Sequence, residues 1–435
     1  MTATVPASPP RRPIRRDDPF GKVRAALVAA RDERTRWPFF DGARGVAIIA
    51  VVAFHGLRYA GDWYSPKIAS EGVPPILWVT GTARFAIDLF FVLSGFLITW
   101  TWWQRRNRSP RLRPAVTGYA RARALRVLPV FWVSLLVFIP WRAPDLLTRP
   151  TDLALFATVQ QYLRPALPEE VNVVTWSLTT EVHFYLLLPL LVLLVRNRTG
   201  ALAALAGTIA LSVWWFGARG DLPSSLILGR LDQFVAGMAV AVVYRRHVDG
   251  ARSWLVRAVC ARGVGWFLGA ALVALGTYHG VKLGIPLGSE VDAWIHPLAG
   301  LILAGLGLRL LCQPAPGRLR RFLERPTLLV LGAMSYSIYL WHVPFMEFGL
   351  ETFRPLGWPF AATGLGLGLA TLAALAVSTV SYAYVERPFM QRKTRKARKA
   401  EAAEAAERER AAVTDAATPV APSPGSASDR ATASR

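Results

Sequence analysis

Stretches of about twenty mostly aliphatic and aromatic residues recur along this chain, parted by short segments rich in Arg, Pro and Gly. A stretch of that length, wound as an α-helix rising about 1.5 Å per residue, crosses a hydrocarbon layer of about 30 Å. About ten such runs stand out, near 44–60, 84–103, 124–141, 178–195, 200–217, 226–244, 264–280, 294–312, 327–349 and 359–385. The pattern predicts an all-α polytopic membrane protein with about ten transmembrane helices. Pro129, Pro140 and Pro189 interrupt the third and fourth runs, and 151–163 is apolar too, so limits are least defined there.

The polar segments orient the chain. RRPIRR and RDERTR precede the first run, and QRRNRSPRLRP, RNRTG, YRRHVDGARSWLVRAVCARG and PGRLRRFLERP occupy alternate loops, while the intervening loops hold few cations. Lys and Arg in short loops are retained on the cytoplasmic side, so both termini are expected there, and the basic QRKTRKARK after the last run agrees. The chain reads as a basic cytoplasmic tail over 1–40, an integral membrane domain over 41–388, and a basic then low-complexity tail over 389–435. RKARKAEAAEAAERERAA in that last segment reads as a short surface helix. The first apolar run lies about forty residues in, behind polar sequence, so it is read as its own insertion signal rather than as a cleaved leader.

Composition supports this reading: 53% of the 435 residues are hydrophobic and 16 are Trp. A formal charge of +23 would suit nucleic acid, but the cations lie in tails and loops beside apolar spans, so anionic lipid is the expected partner and nucleic acid is not. Cys260 and Cys312 are the two cysteines, placed where no disulfide is expected.

Polar side chains inside the runs carry the candidate chemistry, because a charge at a membrane-helix centre costs about 2.5 to 3.5 kcal/mol and persists where a partner or cavity receives it. Arg44 and His55 share the first run, eleven positions and roughly 16 Å apart along a helix, close to one face. A His there is often only a hydrogen-bonded core residue; with Arg44 behind it, a catalytic role is expected. Arg84 and Asp88 are four apart in the second run, a spacing that suits a simple ion pair, or Asp88 orients the imidazole of His55. Gly95 in the same run marks close helix packing.

Arg121, Arg123 and Arg126 crowd the start of the third run, where positive-inside anchoring explains one and a phosphate site at a helix N-terminus explains all. NVVTWSLTTEVHFYLLLPLL gathers Trp176, Ser177, Glu181, His183 and Tyr185; an interfacial aromatic belt accounts for part, but Glu181 needs a cation or a proton. Arg230 and Asp232 open the sixth run, and Ser335, Tyr336, Tyr339 and His342 line the ninth, where Trp341 fits the aromatic belt. At Glu386 a structural salt bridge is as good an account as chemistry. No zinc spacing, phosphate loop or cofactor fingerprint occurs, so no metal and no tightly bound cofactor is expected.

In order, these motifs resemble the acyltransferase family 3 membrane proteins, which include O-antigen acetylases and antibiotic acyltransferases. The likeness spans about 38–390: an Arg, ten residues and a His (Arg44, His55); IDLFFVLSGFLIT with Asp88; Arg-x-x-Arg at Arg123 and Arg126; TWSLTTEVHFYLLLP with Glu181; RLDQFVAG with Asp232; MSYSIYLWHVPF with His342; and SYAYVERP with Glu386. Ala86-Ile87 replaces the usual Gly-Val, and Val182 replaces the second carboxylate common after Glu181. Some members carry a fused extracytoplasmic esterase-like domain; here acceptor handling is expected in the membrane domain or on a separate partner.

The resemblance implies transfer of an acyl group, acetyl above all, from cytoplasmic acyl-coenzyme A to a hydroxyl of a sugar-containing acceptor in the bacterial plasma membrane. The acceptor is a cell-envelope glycan or, alternatively, a secreted glycoside such as a macrolide. His55, Asp88, Glu181 and His342 are the expected catalytic residues, and Arg44, Arg123 and Arg126 the coenzyme A site. Trp176, Ser177, Tyr185, Arg230, Asp232, Tyr336 and Tyr339 are expected to bind substrate. His55 either deprotonates the hydroxyl or is itself acylated, with Asp88 or Glu181 orienting it. The rival reading is a proton-coupled transporter or flippase of lipid-linked sugars, which would use the same buried ionisable groups.

Overall fold

The computed structural model describes residues 20–32, 35–71, 81–108, 111–164, 167, 171–218, 226–281, 290–353 and 359–391. Among them no strand occurs. The helices are α1 (Gly21–Asp32), α2 (Pro38–Glu71), α3 (Ala86–Arg108), α4 (Leu112–Arg142), α5 (Pro150–Ala157), α6 (Trp176–Leu194), α7 (Arg198–Ala218), α8 (Leu231–Val248), α9 (Trp254–Cys260), α10 (Val264–Val281), α11 (Glu290–Cys312), α12 (Arg318–Leu323), α13 (Pro326–Ala333), α14 (Ser335–Phe353) and α15 (Pro359–Ser381). A π turn, Tyr382–Glu386, continues α15. The chain divides into two compact units, Met1–Pro388 and Phe389–Arg435. The tail helix expected within the second unit, and the RRPIRR run of the first, lie outside the described residues.

Seven of the described helices are long and apolar enough to cross a membrane: Pro38–Tyr59, Gly81–Asn107, Leu112–Arg142, Val173–Leu194, Arg198–Ala218, Ala293–Cys312 and Gly364–Gln391. Two bent pairs, α9 with α10 at 77° and α13 with α14 at 72°, raise the number to nine if each is one span. Counted among the described residues, this agrees with an all-α polytopic chain and falls close to the expected ten or so. The ninth run, 327–349, is broken at Met334 rather than straight. The sixth run is α8, whose 18 residues include Asp232, Arg245 and Arg246. It is buried from Leu231 through Met238 among α3, α7 and α11, so it needs no apolar face toward lipid.

The third run also begins earlier than expected. α4 starts at Leu112 and runs through Pro129 and Pro140, which places Arg121, Arg123 and Arg126 inside a helix instead of at its N-terminus. The helix dipole therefore contributes nothing to an anion site there. The apolar segment 151–163 folds as α5 and a short 3-10 turn at Gln161–Leu163, too short to span.

Polarity is distributed as lipid demands. Leu186, Leu190 and Leu193 lie on an outer face of α6, with Leu186 70% exposed, whereas Asp88, Asp232, His342 and Glu386 are buried. Aromatic packing ties the centre together: Phe234 of α8 stacks on Phe184 of α6 at 4.2 Å and on Phe91 of α3 at 4.6 Å between centroids. The α3–α8 seam closes on glycine, as Gly95 predicts. A Cβ on Gly95 would collide with the Phe234 carbonyl, and one on Gly237 with the Val92 carbonyl. The chain folds as a multi-pass, all-helical membrane protein.

Candidate active site

Two cavities lie along the bundle and share Ile87 and Tyr339 as walls. α2 visits both, with Arg44 on the first and Val51, His55, Arg58 and Tyr59 on the second. α3 runs the other way, from Ile87 and Asp88 at the second to Ser94 and Ile98 at the first. The second is the roomier, about 350 Å³ against about 100 Å³.

In the second cavity His55 is oriented from two sides. Its Nδ1 lies 3.0 Å from the Val51 carbonyl and 3.2 Å from Nε2 of His342. Nδ1 of His342 lies 2.8 Å from the Tyr339 carbonyl and 3.1 Å from that of Ile338. Carbonyl oxygens only accept, so each ring carries its proton on Nδ1. His342 Nε2 is then an acceptor for the His55 N–H. The lone pair of His55 falls on Nε2, on an imidazole that lines the cavity.

Neither carboxylate expected to orient His55 does so. Asp88, 1% exposed, accepts from Nδ1 of His296 at 3.0 Å through Oδ2 and 3.1 Å through Oδ1, and Arg230 approaches Oδ1 at 3.5 Å. Arg84 and Asp88 are not successive turns of one helix, because the chain turns at Arg84–Phe85 before α3 begins. Arg230 also stands over the Trp176 ring at 5.7 Å, and both line this cavity. Glu181 belongs to the first cavity, where Ser94 Oγ donates to it at 2.9 Å.

That first cavity brings Arg44, Arg123 and Arg126 together with Glu181, Tyr185, Ser177, Ser335 and Tyr336. Arg123 lies 5.8 Å over the Tyr185 ring, and Tyr336 donates to the Val127 carbonyl at 2.8 Å. Three guanidiniums on one small cavity suit an anion with several oxygens. Ser177 does not bond Glu181; its hydroxyl meets that of Tyr339 at 2.7 Å, and Tyr339 donates to the Val174 carbonyl at 2.7 Å.

Three expected positions fall outside both cavities: His342, which touches His55 but lines neither, and two more. Asp232 lines neither, being buried in α8. Glu386, aimed inward by the π turn, accepts from Ser337 Oγ at 2.7 Å. His183 is likewise engaged elsewhere, with Gln160 at 2.8 Å. Sequence reasoning missed His296, although an imidazole inside the run 294–312 was the same signal that singled out His55. It also missed Glu347, which accepts from Tyr59 at 2.6 Å and pairs with Arg142 at 2.5 Å beside the second cavity. Among the described residues no group of three or more His, Cys, Asp or Glu is placed to hold a metal ion.

Comparison with known proteins meets this geometry from another direction. A family profile described as an acyltransferase domain matches residues 37–383. The chain is 26% identical over 393 residues to acyltransferase MdmB of Streptomyces mycarofaciens, covering 82% of this chain and 92% of that protein. It is 26% identical over 385 residues to peptidoglycan O-acetyltransferase OatA of Listeria monocytogenes, covering 81% of this chain but 55% of that protein, so it spans little more than half of that relative. Exopolysaccharide production protein ExoZ of Rhizobium meliloti is 28% identical over 319 residues, 70% of this chain and 89% of its own length. No solved structure matches. The matched profile covers most of the chain, both cavities included, and the protein belongs to the acyltransferase family 3 membrane proteins.

Proposed function

We propose that the protein is an O-acyltransferase of the bacterial plasma membrane, moving an acyl group, acetyl by preference, from acyl-coenzyme A to a hydroxyl of a cell-envelope glycan. The observation that carries the proposal is His55: an imidazole whose tautomer is fixed by Val51 and His342, leaving the lone pair on Nε2, and which lines a membrane-embedded cavity. Such a nitrogen either takes the hydroxyl proton or accepts the acyl group. Arg44, Arg123 and Arg126 bind the phosphates of the donor in the first cavity, and the thioester extends past Ile87 and Tyr339 toward His55. Trp176 and Arg230 offer the second cavity an aromatic face and a donor for a sugar. Relatives named for peptidoglycan O-acetylation and exopolysaccharide production support an acetyl group and an envelope glycan; a secreted glycoside is the alternative acceptor. The distribution of Lys and Arg supports a cytoplasmic entry for the donor, with both termini on that side.

The test is release of coenzyme A from radiolabelled acetyl-coenzyme A by the purified full chain and by His55→Ala, followed by tracing the label in membranes. Turnover with label in glycan, abolished by the substitution, is expected. Absence of thioester cleavage with acetyl and longer donors, alongside flipping of a lipid-linked sugar without any donor, overturns the proposal in favour of a transporter.

A further inference from the structure

The cavity that holds His55 is walled by more guanidiniums than carboxylates: Arg58, Arg84 and Arg230 line it against Asp88 and Glu347. Both carboxylates are engaged by other partners. Asp88 is approached by Arg230 at 3.5 Å and by Nδ1 of His296 at 3.0 Å. Glu347 pairs with Arg142 at 2.5 Å and accepts from the Tyr59 hydroxyl at 2.6 Å. Each carboxylate thus has a guanidinium of its own, and neither of these is Arg58. Among the described residues Arg58 forms no ion pair and no side-chain hydrogen bond. It is exposed, so its guanidinium is accessible to an incoming ligand.

The place of Arg58 on α2 ties this charge to the reacting group. It follows His55 by three residues, which puts it on the same helical face about 4.5 Å further along the axis. It stands within electrostatic reach of His55. Trp176, on α6, offers the same cavity an aromatic face for a sugar ring. A ring on that face with one hydroxyl at His55 has a guanidinium beside its neighbouring substituents. The planar fork of an arginine fits two oxygens of a carboxylate or a phosphate. A neutral acceptor instead covers the cation without pairing it, and an unpaired charge taken from water counts against such a ligand. At about 350 Å³ the cavity is at the small end of ligand pockets, so the group that meets Arg58 must lie close to the reacting hydroxyl.

Resting on the acyltransferase reading above, we propose that Arg58 selects an anionic acceptor, one bearing a carboxylate or a phosphate ester on the sugar that presents the hydroxyl or on the next sugar. Arg58 is a specificity-determining residue in this scheme and takes no part in the transfer itself.

The test follows the label. The purified full chain is reconstituted into sealed vesicles made from membranes of the producing bacterium lacking this protein, and supplied with radiolabelled acetyl-coenzyme A. The labelled saccharide is cut enzymically to one or two sugars and passed over an anion exchanger. The label should be retained. Loss of retention after phosphatase identifies a phosphate ester, and loss after carbodiimide-mediated reduction identifies a carboxylate. Arg58→Ala should lower labelling about tenfold, the effect of losing one charge-assisted hydrogen bond, with the KM for acetyl-coenzyme A unchanged. Arg58→Lys should recover most of the loss and Arg58→Glu should abolish labelling. Variants are compared as proteins that elute in detergent as the wild type does, with Arg58→Gln used if the Ala form does not. Label that elutes with neutral sugars overturns the proposal and leaves the acyltransferase reading intact. Undiminished labelling by Arg58→Ala does the same, as does a defect that Arg58→Lys fails to relieve. A wild type that cleaves no thioester, acetyl or longer, overturns the acyltransferase reading and this proposal with it.

Discussion

His342 holds the imidazole of His55 at 3.2 Å from a point 287 residues further along the chain. The contact joins the middle of α2 to the middle of α14, and it fixes which nitrogen of His55 carries the lone pair. On this basis His342→Leu should lower acyl transfer about 10- to 100-fold in a protein that still folds, as removal of an orienting partner does elsewhere. His342→Gln keeps an acceptor for the His55 N–H and should recover part of the loss. Equal defects in both variants would show that size, not acceptance, matters at this position.

Arg123→Ala and Arg126→Ala should each raise the KM for acyl-coenzyme A about tenfold or more with a smaller effect on kcat, since a charge-assisted hydrogen bond contributes about 1.5 to 3 kcal/mol. Arg121, exposed and on neither cavity, is the control whose alanine variant should leave KM alone. Steady-state kinetics on purified protein separate the three.

Gly95→Ala should lower the melting temperature in detergent by several degrees, because the added methyl meets a backbone carbonyl that cannot step aside and overpacking costs about 1 to 3 kcal/mol. Gly207→Ala on α7 meets nothing within 4 Å and should be neutral or stabilising, as alanine is the better helix former by about 1 kcal/mol. Size-exclusion profiles after a temperature ramp give both values.

A fluorescent protein fused after Arg435 should fluoresce, and a phosphatase fused at the same point should be inactive, if the Lys and Arg pattern orients the chain as proposed. The opposite pair of results would reverse the topology and move the three-arginine cavity to the far side.

How much of this was legible beforehand differs from element to element. Arg44 and His55 announce themselves because one helix and a fixed rise relate them, and the apolar runs announce the membrane because length alone decides a span. Gly95 was legible as a packing residue for the same local reason. The partner of Asp88 was not: His296 lies 208 residues away, and neither spacing nor helical face connects them. Local pattern also misjudged 327–349, where apolarity continues straight across the bend at Met334. Nor does apolarity in 226–244 tell that other helices, rather than lipid, cover α8. What the sequence shows well are properties of one helix; what it hides are pairings between helices, and the candidate site is made of those.

The glycine seam between α3 and α8 bears on how such a site opens. Backbone lies against backbone at Gly95 and Gly237, and the same two elements set the spacing of Asp88 on one and Arg230 at the foot of the other. His55 and His342 stand on a different joint, between α2 and α14, where Gly56 meets no more than the flexible tip of Met346 at 3.9 Å. The bundle is therefore locked backbone to backbone where it holds the carboxylate and joined through side chains where it holds His55, so parting that joint would uncouple His55 from His342, and closing it would restore their contact.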